Sequence, residues 1–323
     1  MRLGYSLGSL LSVNEVLECA KILSTRSVDS IWIPETWGME GFSMMSAVSR
    51  IAKNAKIGSS IVNIYSRSPS VIAMGAATLD TISDGKLILG LGTSSDLIVQ
   101  NWHGIAFKDP VPRMQECVEI IRLILSKNKV NYNGKFFHLK DFALLIKPTR
   151  NKIPVYLAAV NQKMVELTWN VADGVIFYLR PFSELKDTIQ KMQSKKKIDV
   201  ASQFITCVSD DKEKAVSKAK KTLAFYISVA KIYRDFLAKN GFKKETENVY
   251  QEFLKSGLSS NFELIPDSML ESLTICGDAE ESRKQLKRFV DAGVNLPIMQ
   301  FNPIGDAKES FEFLVSAFSE VEK

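Results

Sequence analysis

The order of apolar and polar positions along the chain predicts strands that alternate with amphipathic helices. Short apolar runs predict eight strands, at residues 2–7, 30–35, two within 56–95, 155–160, 174–178, 202–208 and 297–301. Between these runs, apolar side chains recur every three or four residues, which is typical of helices with one buried face. Strands that are separated by helices, with none repeated antiparallel, favour a closed parallel sheet.

Two long connections interrupt this order, at about residues 96–154 and 212–272. The first contains an amphipathic helix and a hairpin that turns at Asn133-Gly134. The second is helical and rich in lysine. We therefore predict a single domain over residues 1–323, a (β/α)8 TIM barrel with these two insertions. A doubly wound sheet is the alternative, but the Gly-x-Gly-x-x-Gly pattern that would open its first helix is absent after Leu7.

The stretch from Lys56 to Ser95 predicts where a ligand binds. It predicts a strand, a loop, a helix, a turn and a second strand, and the two strands end in Ser-Ser-Ile-Val-Asn and Gly-Leu-Gly-Thr-Ser-Ser. The carboxyl ends of parallel strands meet at one edge of the sheet, and ligands bind there. Small and hydroxyl residues at both ends therefore predict a binding site. Two buried strands with Gly-rich turns are the structural alternative.

Composition narrows the class of protein. The chain has 323 residues, 46% hydrophobic and 24% charged, which is typical of a globular protein. Met1-Arg2 leads directly into a strand-like run and no apolar stretch reaches about 18 residues, so we expect a cytoplasmic protein without a signal peptide or membrane partner. Its four scattered cysteines indicate buried thiols in a reducing compartment. With only His103 and His138 as histidines, no metal site is expected.

The net charge of +6 comes from lysine clusters such as Lys195-Lys196-Lys197. Solvated helix faces explain these clusters, and attraction of an anionic ligand would also explain them. No nucleic-acid-binding module is recognisable, so no nucleic-acid partner is expected.

Four pieces of the sequence, in order, resemble the bacterial-luciferase-like flavin and deazaflavin superfamily. They are GSSIVNIYSRSP with AATLDTISDGKLILGLGTSS, Asn101-Trp102-His103-Gly104, IPVYLAAVNQKMVEL and ADGV. The resemblance extends from Arg2 to about Gln300 and is weakest over residues 212–272. It is closest to the branch that uses coenzyme F420, which includes methylenetetrahydromethanopterin reductases. It implies a luciferase-like (β/α)8 barrel, a tricyclic redox cofactor at the C-terminal mouth, and a homodimer.

The resemblance assigns cofactor contacts to the ends of the third, fourth and fifth strands. Several members have a non-prolyl cis peptide after the third strand, and the matching bond here is Ser60–Ile61, which would brace one face of the ring. The other implied contacts are Asn63, Thr93, Ser94, Ser95, Ala158, Ala159, Val160, Asn161 and Gln162. Small residues at such positions let backbone amides approach a phosphate or a ring edge.

Further residues are candidates for catalysis or substrate binding. Glu35 matches an acidic position of that branch, where a carboxylate would transfer a proton or hold the ring; pairing with a nearby base is the alternative. His103 is suited to acid–base chemistry near neutral pH, or else it serves loop packing. Trp37 would cover the site or simply pack. Arg67 would bind a substrate anion or form a salt bridge, and His138 in the hairpin is predicted to be structural.

Two departures from the family pattern concern the substrate. F420-dependent sugar-phosphate dehydrogenases have a His directly after the acidic residue, and here that residue is Thr36. Methanogen methylenetetrahydromethanopterin reductases have a Glu on the first strand, which here reads Gly4-Tyr5-Ser6-Leu7. The resemblance implies an oxidoreductase that transfers a hydride between coenzyme F420 and a small organic substrate. A methylenetetrahydromethanopterin-like molecule of one-carbon metabolism is one candidate substrate.

Two other functions stay open at this point. The first is an FMN-dependent, luciferase-like monooxygenase that receives reduced flavin from a separate reductase. The second is a non-catalytic luciferase-like barrel, because some relatives in this superfamily bind no cofactor.

Overall fold

The computed structural model describes residues 1–8, 10–146, 148–150 and 152–319. The strands are β1 (Gly4–Ser6), β2 (Ser30–Ile33), β3 (Lys56–Ser59), β4 (Val62–Asn63), β5 (Leu87–Gly92), β6 (Val130–Asn133), β7 (His138–Phe142), β8 (Val155–Ala158), β9 (Gly174–Tyr178), β10 (Asp199–Val208), β11 (Thr274–Gly277) and β12 (Leu296–Phe301). The helices are α1 (Val13–Ser24), α2 (Gly41–Ile51), α3 (Pro69–Ile82), α4 (Pro110–Ser126), α5 (Gln162–Val171), α6 (Phe182–Gln193), α7 (Lys212–Val229), α8 (Lys231–Leu237), α9 (Lys243–Ser256), α10 (Asp267–Leu273), α11 (Ala279–Asp291) and α12 (Ala307–Phe318). A π-helical segment, Ile98–Trp102, follows β5.

The chain forms two compact units. The N-terminal unit is Leu7–Ile176, and the C-terminal unit is Met1–Ser6 with Phe177–Lys323. In the N-terminal unit, β2, β3, β5, β8 and the first residues of β9 lie side by side in this order and are parallel. Every residue of β2 and β5 is buried, as expected for a parallel strand that is covered on both faces. Each of the helices α1 to α4 packs against the next one along the chain.

Several helices that follow a strand begin at a residue whose side chain caps the helix. Ser12 and Glu15 form a capping box at the start of α1. Ser68 caps α3, whose first residue is Pro69, a residue that fits the first turn because its nitrogen carries no proton. Local sequence therefore sets the point at which each of these strand-to-helix loops ends.

In the C-terminal unit, β11, β10, β12 and β1 lie side by side and are parallel. Helices α7 to α10, which form the second predicted insertion, pack over β10 and β11. Leu223, Ile227, Val249, Met269 and Leu273 belong to the buried apolar cluster between them. The same cluster includes Ile205 and Cys207 of β10, so burial of apolar side chains fixes the insertion on the sheet.

The predicted strands are confirmed as β1, β2, β3, β5, β8, β9, β10 and β12. The hairpin is confirmed as the antiparallel pair β6–β7. The sequence did not predict β11, because Thr274–Gly277 contains a single aliphatic residue, Ile275, and follows α10 without a loop. It becomes a strand by pairing with the last four residues of β10, Ile205–Val208. The four cysteines are buried free thiols, as predicted.

In the described part of the chain, none of the helices combines the length and the apolar character that a membrane crossing requires.

Candidate functional site

The predicted site residues lie at the carboxyl edge of the parallel sheet in the N-terminal unit. The Ser60 amide donates to the Ile33 carbonyl at 3.0 Å, and the Ile64 amide donates to the Gly92 carbonyl at 3.1 Å. In the neighbouring pair, Leu91 of β5 is the register partner of Leu157 of β8. The structure therefore brings the ends of β2, β4, β5 and β8 together at one edge.

The bond between Ser60 and Ile61 is cis, as the resemblance implied. It lies in a break between β3 and β4, which pair in turn with the start and the end of β5. Across this break the Ser59 hydroxyl donates to the Gly90 carbonyl at 2.8 Å and accepts from the Gly90 amide at 2.9 Å. A Cβ on Gly90 would lie 1.8 Å from the Ser59 carbonyl oxygen. This close approach explains why position 90 is glycine.

Two buried polar atoms at this edge have no hydrogen-bond partner among the described residues, Asn63 Nδ2 and Ser60 Oγ. Asn63 is 3% exposed, and its Oδ1 accepts from the Tyr65 amide at 2.8 Å. That bond fixes the side-chain amide and leaves its NH2 group without a partner. Nearly all buried polar groups in native proteins are paired, so such atoms at a strand end indicate a ligand. The donors present fit a ring edge that carries carbonyl oxygens and nitrogens.

Tyr65 is itself held in place from two sides. Its hydroxyl donates to the Lys108 carbonyl at 2.8 Å. The Arg113 guanidinium lies 4.9 Å from the centre of its ring, and the Phe107 ring lies 5.2 Å away. The first insertion, which contains Arg113 and Phe107, therefore supports the position of Asn63.

The remaining predicted cofactor residues follow β5 or lie between the last residue of β8, Ala158, and the first residue of α5, Gln162. Ser94 has a left-handed backbone, with φ of +58°. Ser95 Oγ accepts from the Ile98 amide at 3.3 Å, at the first residue of the π-helical segment. After β8, Asn161 Oδ1 accepts from the Met164 amide at 3.0 Å and caps α5. The first amides of α5 point out of the helix, and such amides attract anions.

Glu35 and Arg67 form an ion pair beside the same edge. The two carboxylate oxygens of Glu35 accept from Arg67 at 2.5 and 2.7 Å, and the Gly41 amide donates to Glu35 at 2.8 Å. Arg67 also contacts Glu40. The exposed fractions of the Arg67 and Glu35 side chains are 17% and 12%. The hydrogen bonds to Glu35 raise the pKa of Arg67, so the guanidinium stays charged.

Glu40, which the sequence reasoning missed, completes this cluster. Its carboxylate caps α2 by accepting from the amides of Phe42 and Ser43. Burial alone would raise the pKa of Glu40, but the hydrogen bonds from Ser43 and Phe42 and the charge of Arg67 lower it. An acidic residue directly before the apolar helix pattern was the signal that would have found it.

His103 and the two tryptophans lie farther out in the loops. His103 is exposed and follows the π-helical segment, and its amide donates to the Ile98 carbonyl at 3.1 Å. The Trp37 and Trp102 rings meet edge to face at 5.2 Å, with exposed fractions of 59% and 51%. His138 contacts Asn133 at 2.7 Å within the hairpin, which agrees with a structural role. Among the described residues, no group of three or more His, Cys, Asp or Glu side chains could hold a metal.

The chain is similar to known proteins along nearly its whole length. A family model described as luciferase-like monooxygenase matches residues 2–296. A 5,10-methylenetetrahydromethanopterin reductase of Archaeoglobus fulgidus is 26% identical over 309 residues, 91% of each chain. An F420-dependent glucose-6-phosphate dehydrogenase of Amycolatopsis mediterranei is 25% identical over 326 residues, 95% of this chain and 92% of the relative.

Among solved structures, the coenzyme F420-dependent tetrahydromethanopterin reductase of Methanopyrus kandleri is similar over 100% of this chain and 99% of its own, with a TM-score of 0.88 and 20% identity. This likeness confirms the predicted fold, a (β/α)8 barrel.

Proposed function

The chain belongs to the luciferase-like monooxygenase family, and we propose that it is an oxidoreductase that transfers a hydride between coenzyme F420 and a small organic substrate. The observation that carries this proposal is the pair of buried, unpartnered atoms, Asn63 Nδ2 and Ser60 Oγ, at the carboxyl edge of a parallel sheet. The two relatives above and the similar solved structure carry names that refer to F420 or to a reductase of the same branch.

When bound, F420 supplies a deazaflavin ring that carries a hydride. Asn63 and Ser60 would donate hydrogen bonds to the polar edge of that ring, and the Ile61 side chain, which lies against Gly92, would contact its face. Thr93 and Ser94 would line the same edge. The backbone amides at the start of α5, near Asn161 and Gln162, would hold the phosphate. Ala158, Ala159 and Val160 would lie beside it.

Glu35 and Arg67 would contact the substrate at this edge. Arg67 already neutralises the charge of Glu35, so the pair presents a fixed dipole rather than a free carboxylate. A substrate anion that approaches Arg67 would compete with Glu35 and Glu40. Trp37, packed against Trp102, would cover the opening. His103, the residue after Trp102, is the second residue proposed for catalysis.

Titration of the purified protein with F420, followed by absorbance, tests the proposal. We expect a saturable spectral change, and no comparable affinity for FMN. Tight retention of FMN without F420 affinity would support a flavin monooxygenase instead. No spectral change with either cofactor would support a non-catalytic barrel. A screen of pterin and other electrophilic acceptors would then address a methylenetetrahydromethanopterin-like substrate.

Substitution of Glu35→Gln tests the ion pair. We expect about a tenfold loss of turnover, because a neutral amide leaves Arg67 without one of its two carboxylate partners. The matched control is Glu18→Gln on the exposed face of α1, which we expect to be neutral. Turnover and F420 affinity that both stay unchanged in Glu35→Gln would remove Glu35 from the site.

The resemblance also implies a homodimer in the cytoplasm, with no nucleic-acid or membrane partner. These stay predictions, and sedimentation velocity of the purified protein would measure the oligomeric state directly.

A further inference from the structure

A second polar cluster lies in the C-terminal unit, and it shares no residue with the site described above. Its members are two glutamines from the strands, Gln203 of β10 and Gln300 of β12, and three tyrosines, Tyr178, Tyr226 and Tyr233. The glutamines are almost fully buried, with exposed fractions of 9% and 6%. Nothing in the family resemblance used above assigns these residues a role.

The hydrogen bonds within this cluster are incomplete. Gln300 Oε1 accepts from the Tyr178 hydroxyl at 2.6 Å, and from Gln203 Nε2 at 3.5 Å. Gln300 Nε2 donates to the Tyr226 hydroxyl at 3.4 Å. Two of these three bonds are much longer than the usual ~2.9 Å, so they are weak. Gln203 Oε1 is buried and has no hydrogen-bond partner among the described residues.

The three tyrosine rings form an aromatic wall beside the amides. Tyr178 lies edge to face against Tyr226 at 5.2 Å and against Tyr233 at 5.5 Å. Tyr226 and Tyr233 are perpendicular at 6.0 Å. Such a wall offers ring faces and edges for a flat organic group.

The cluster is electrically neutral. Burial, followed by the neighbouring tyrosines, raises the pKa of Tyr178, and burial also raises the pKa of Tyr233, so both hydroxyls keep their protons. The hydrogen bonds of the five side chains within the described residues involve only amides and hydroxyls. A charged ligand group would lose its hydration here without gaining a counter-charge.

We propose that Gln203, Gln300 and Tyr178 bind an uncharged amide, lactam or hydroxyl group of the organic substrate, whose N–H or O–H donates to Gln203 Oε1. The tyrosine rings would pack against the flat part that bears this group. Naming this ligand as the substrate rests on the proposed function, whereas the binding site itself does not. Sites that are built to hydrogen-bond a donor reject analogues that lack it, because their own polar groups are then left unpaired.

Ligand-observed NMR titration of the full chain without any cofactor tests the site. The probes are quinolin-2-one, an uncharged bicyclic lactam, and N-methylquinolin-2-one, which lacks the N–H donor. We expect quinolin-2-one to bind at least about tenfold more tightly than its N-methyl analogue. Equal affinities, or no binding of either probe, would overturn the proposal. Quinoline-2-carboxylate is the third probe, and binding tighter than that of the lactam would overturn the uncharged ligand class.

Gln203→Met removes the unpaired oxygen while keeping the length of the side chain. We expect the preference for the N–H probe to fall to within about twofold, and the matched control Gln190→Met, on the exposed face of α6, to keep it. A Gln203→Met variant that is folded and keeps the preference would overturn the proposal.

If Gln203→Met does not fold, Tyr178→Phe takes its place. It removes only the hydroxyl that fixes Gln300, and we expect at least a threefold weaker binding of quinolin-2-one, where unchanged binding would count against the site. F420 titration of the same samples separates the two proposals. A protein that selects the lactam but does not bind F420 would keep this site and reject the proposed function.

Discussion

At the two edges of the parallel sheet in the N-terminal unit, two buried polar groups differ in whether their atoms have hydrogen-bond partners. At the amino edge, where β5 begins, both oxygens of Asp80 accept from Arg150, which also donates to the Leu87 carbonyl at 2.6 Å. At the carboxyl edge, Asn63 Nδ2 and Ser60 Oγ are buried without partners. Around Asp80 the hydrogen-bond network is closed, whereas around Asn63 and Ser60 it is open.

This difference indicates that the two edges of one sheet have different roles, one in stabilising the fold and one in binding a ligand. A buried polar atom without a partner costs about 1–3 kcal/mol, so an open network is expected only where a ligand closes it. In barrels of this kind the carboxyl edge carries the ligand and the amino edge stabilises the fold. Substitutions at the two edges should therefore separate loss of folding from loss of binding.

The largest expected effect is at the amino edge, in Asp80→Asn. Asp80 is 0% exposed, and its loss of charge leaves the Arg150 guanidinium without a counter-charge. We expect the free energy of unfolding to fall by about 3 kcal/mol, measured by urea denaturation. F420 affinity of the folded fraction should be unchanged.

Asp84→Asn is the matched control, because Asp84 is exposed in the next turn and asparagine tolerates its left-handed backbone. We expect it to change stability by less than about 0.5 kcal/mol. If Asp80→Asn were as stable as this control, the amino edge would not have the stabilising role assigned to it here.

The second effect is at the carboxyl edge, in Asn63→Asp. This change keeps an oxygen for the Tyr65 amide and replaces the unpartnered NH2 group with a negatively charged oxygen. We expect F420 affinity to fall about 10- to 100-fold, because a donor is lost and a repulsive charge is gained.

The new carboxylate at position 63 is buried and has no counter-charge, so thermal stability should also fall. F420 affinity is therefore measured on the folded fraction, as for Asp80→Asn. Asn170→Asp, on the exposed face of α5, is the control for the same chemical change and should leave both properties unaltered. Wild-type F420 affinity in Asn63→Asp would show that the unpartnered amide does not face the cofactor.

The sequence predicted the carboxyl edge better than the amino edge, for a physical reason. Strand ends that carry Gly90, Gly92 and Asn63 are visible as local patterns, and the family resemblance added the cis bond at Ser60. The partners of Asp80 and Glu35 are not visible, because Arg150 and Arg67 are 70 and 32 residues away along the chain. Ion pairs across such distances follow from the packing of helices and loops, which no local pattern encodes.

Partners that are distant along the chain also limited the prediction of strands. Apolar runs that alternate with helical patterns predicted their strands, whereas Thr274–Gly277 needed its pairing with β10 to become β11. Its only aliphatic residue is Ile275 and it follows α10 directly, so no local pattern distinguishes it from the end of a helix. Cooperation with a distant partner, rather than intrinsic preference, determines such short strands.

The smallest expected effect is a pH dependence at the amino edge, at Asp173. Burial opposes the charge of this carboxylate, but hydrogen bonds from Lys152, the Val155 amide and Arg122 outweigh burial and lower its pKa. A lowered pKa in the folded state contributes stability above the unfolded pKa of ~3.9, and this stability is lost as the pH falls through the folded pKa.

Asp173→Asn should therefore lower the free energy of unfolding by about 1 kcal/mol at pH 7, and the gap to wild type should close below pH ~4. Denaturation series at pH 7, 5 and 3.5 measure this gap, with Asp84→Asn again as the control. Because other carboxylates titrate equally in both proteins, the difference isolates Asp173. A gap that stayed constant down to pH 3.5 would mean that Asp173 stabilises the amino edge by its shape and hydrogen bonds, and not by its charge.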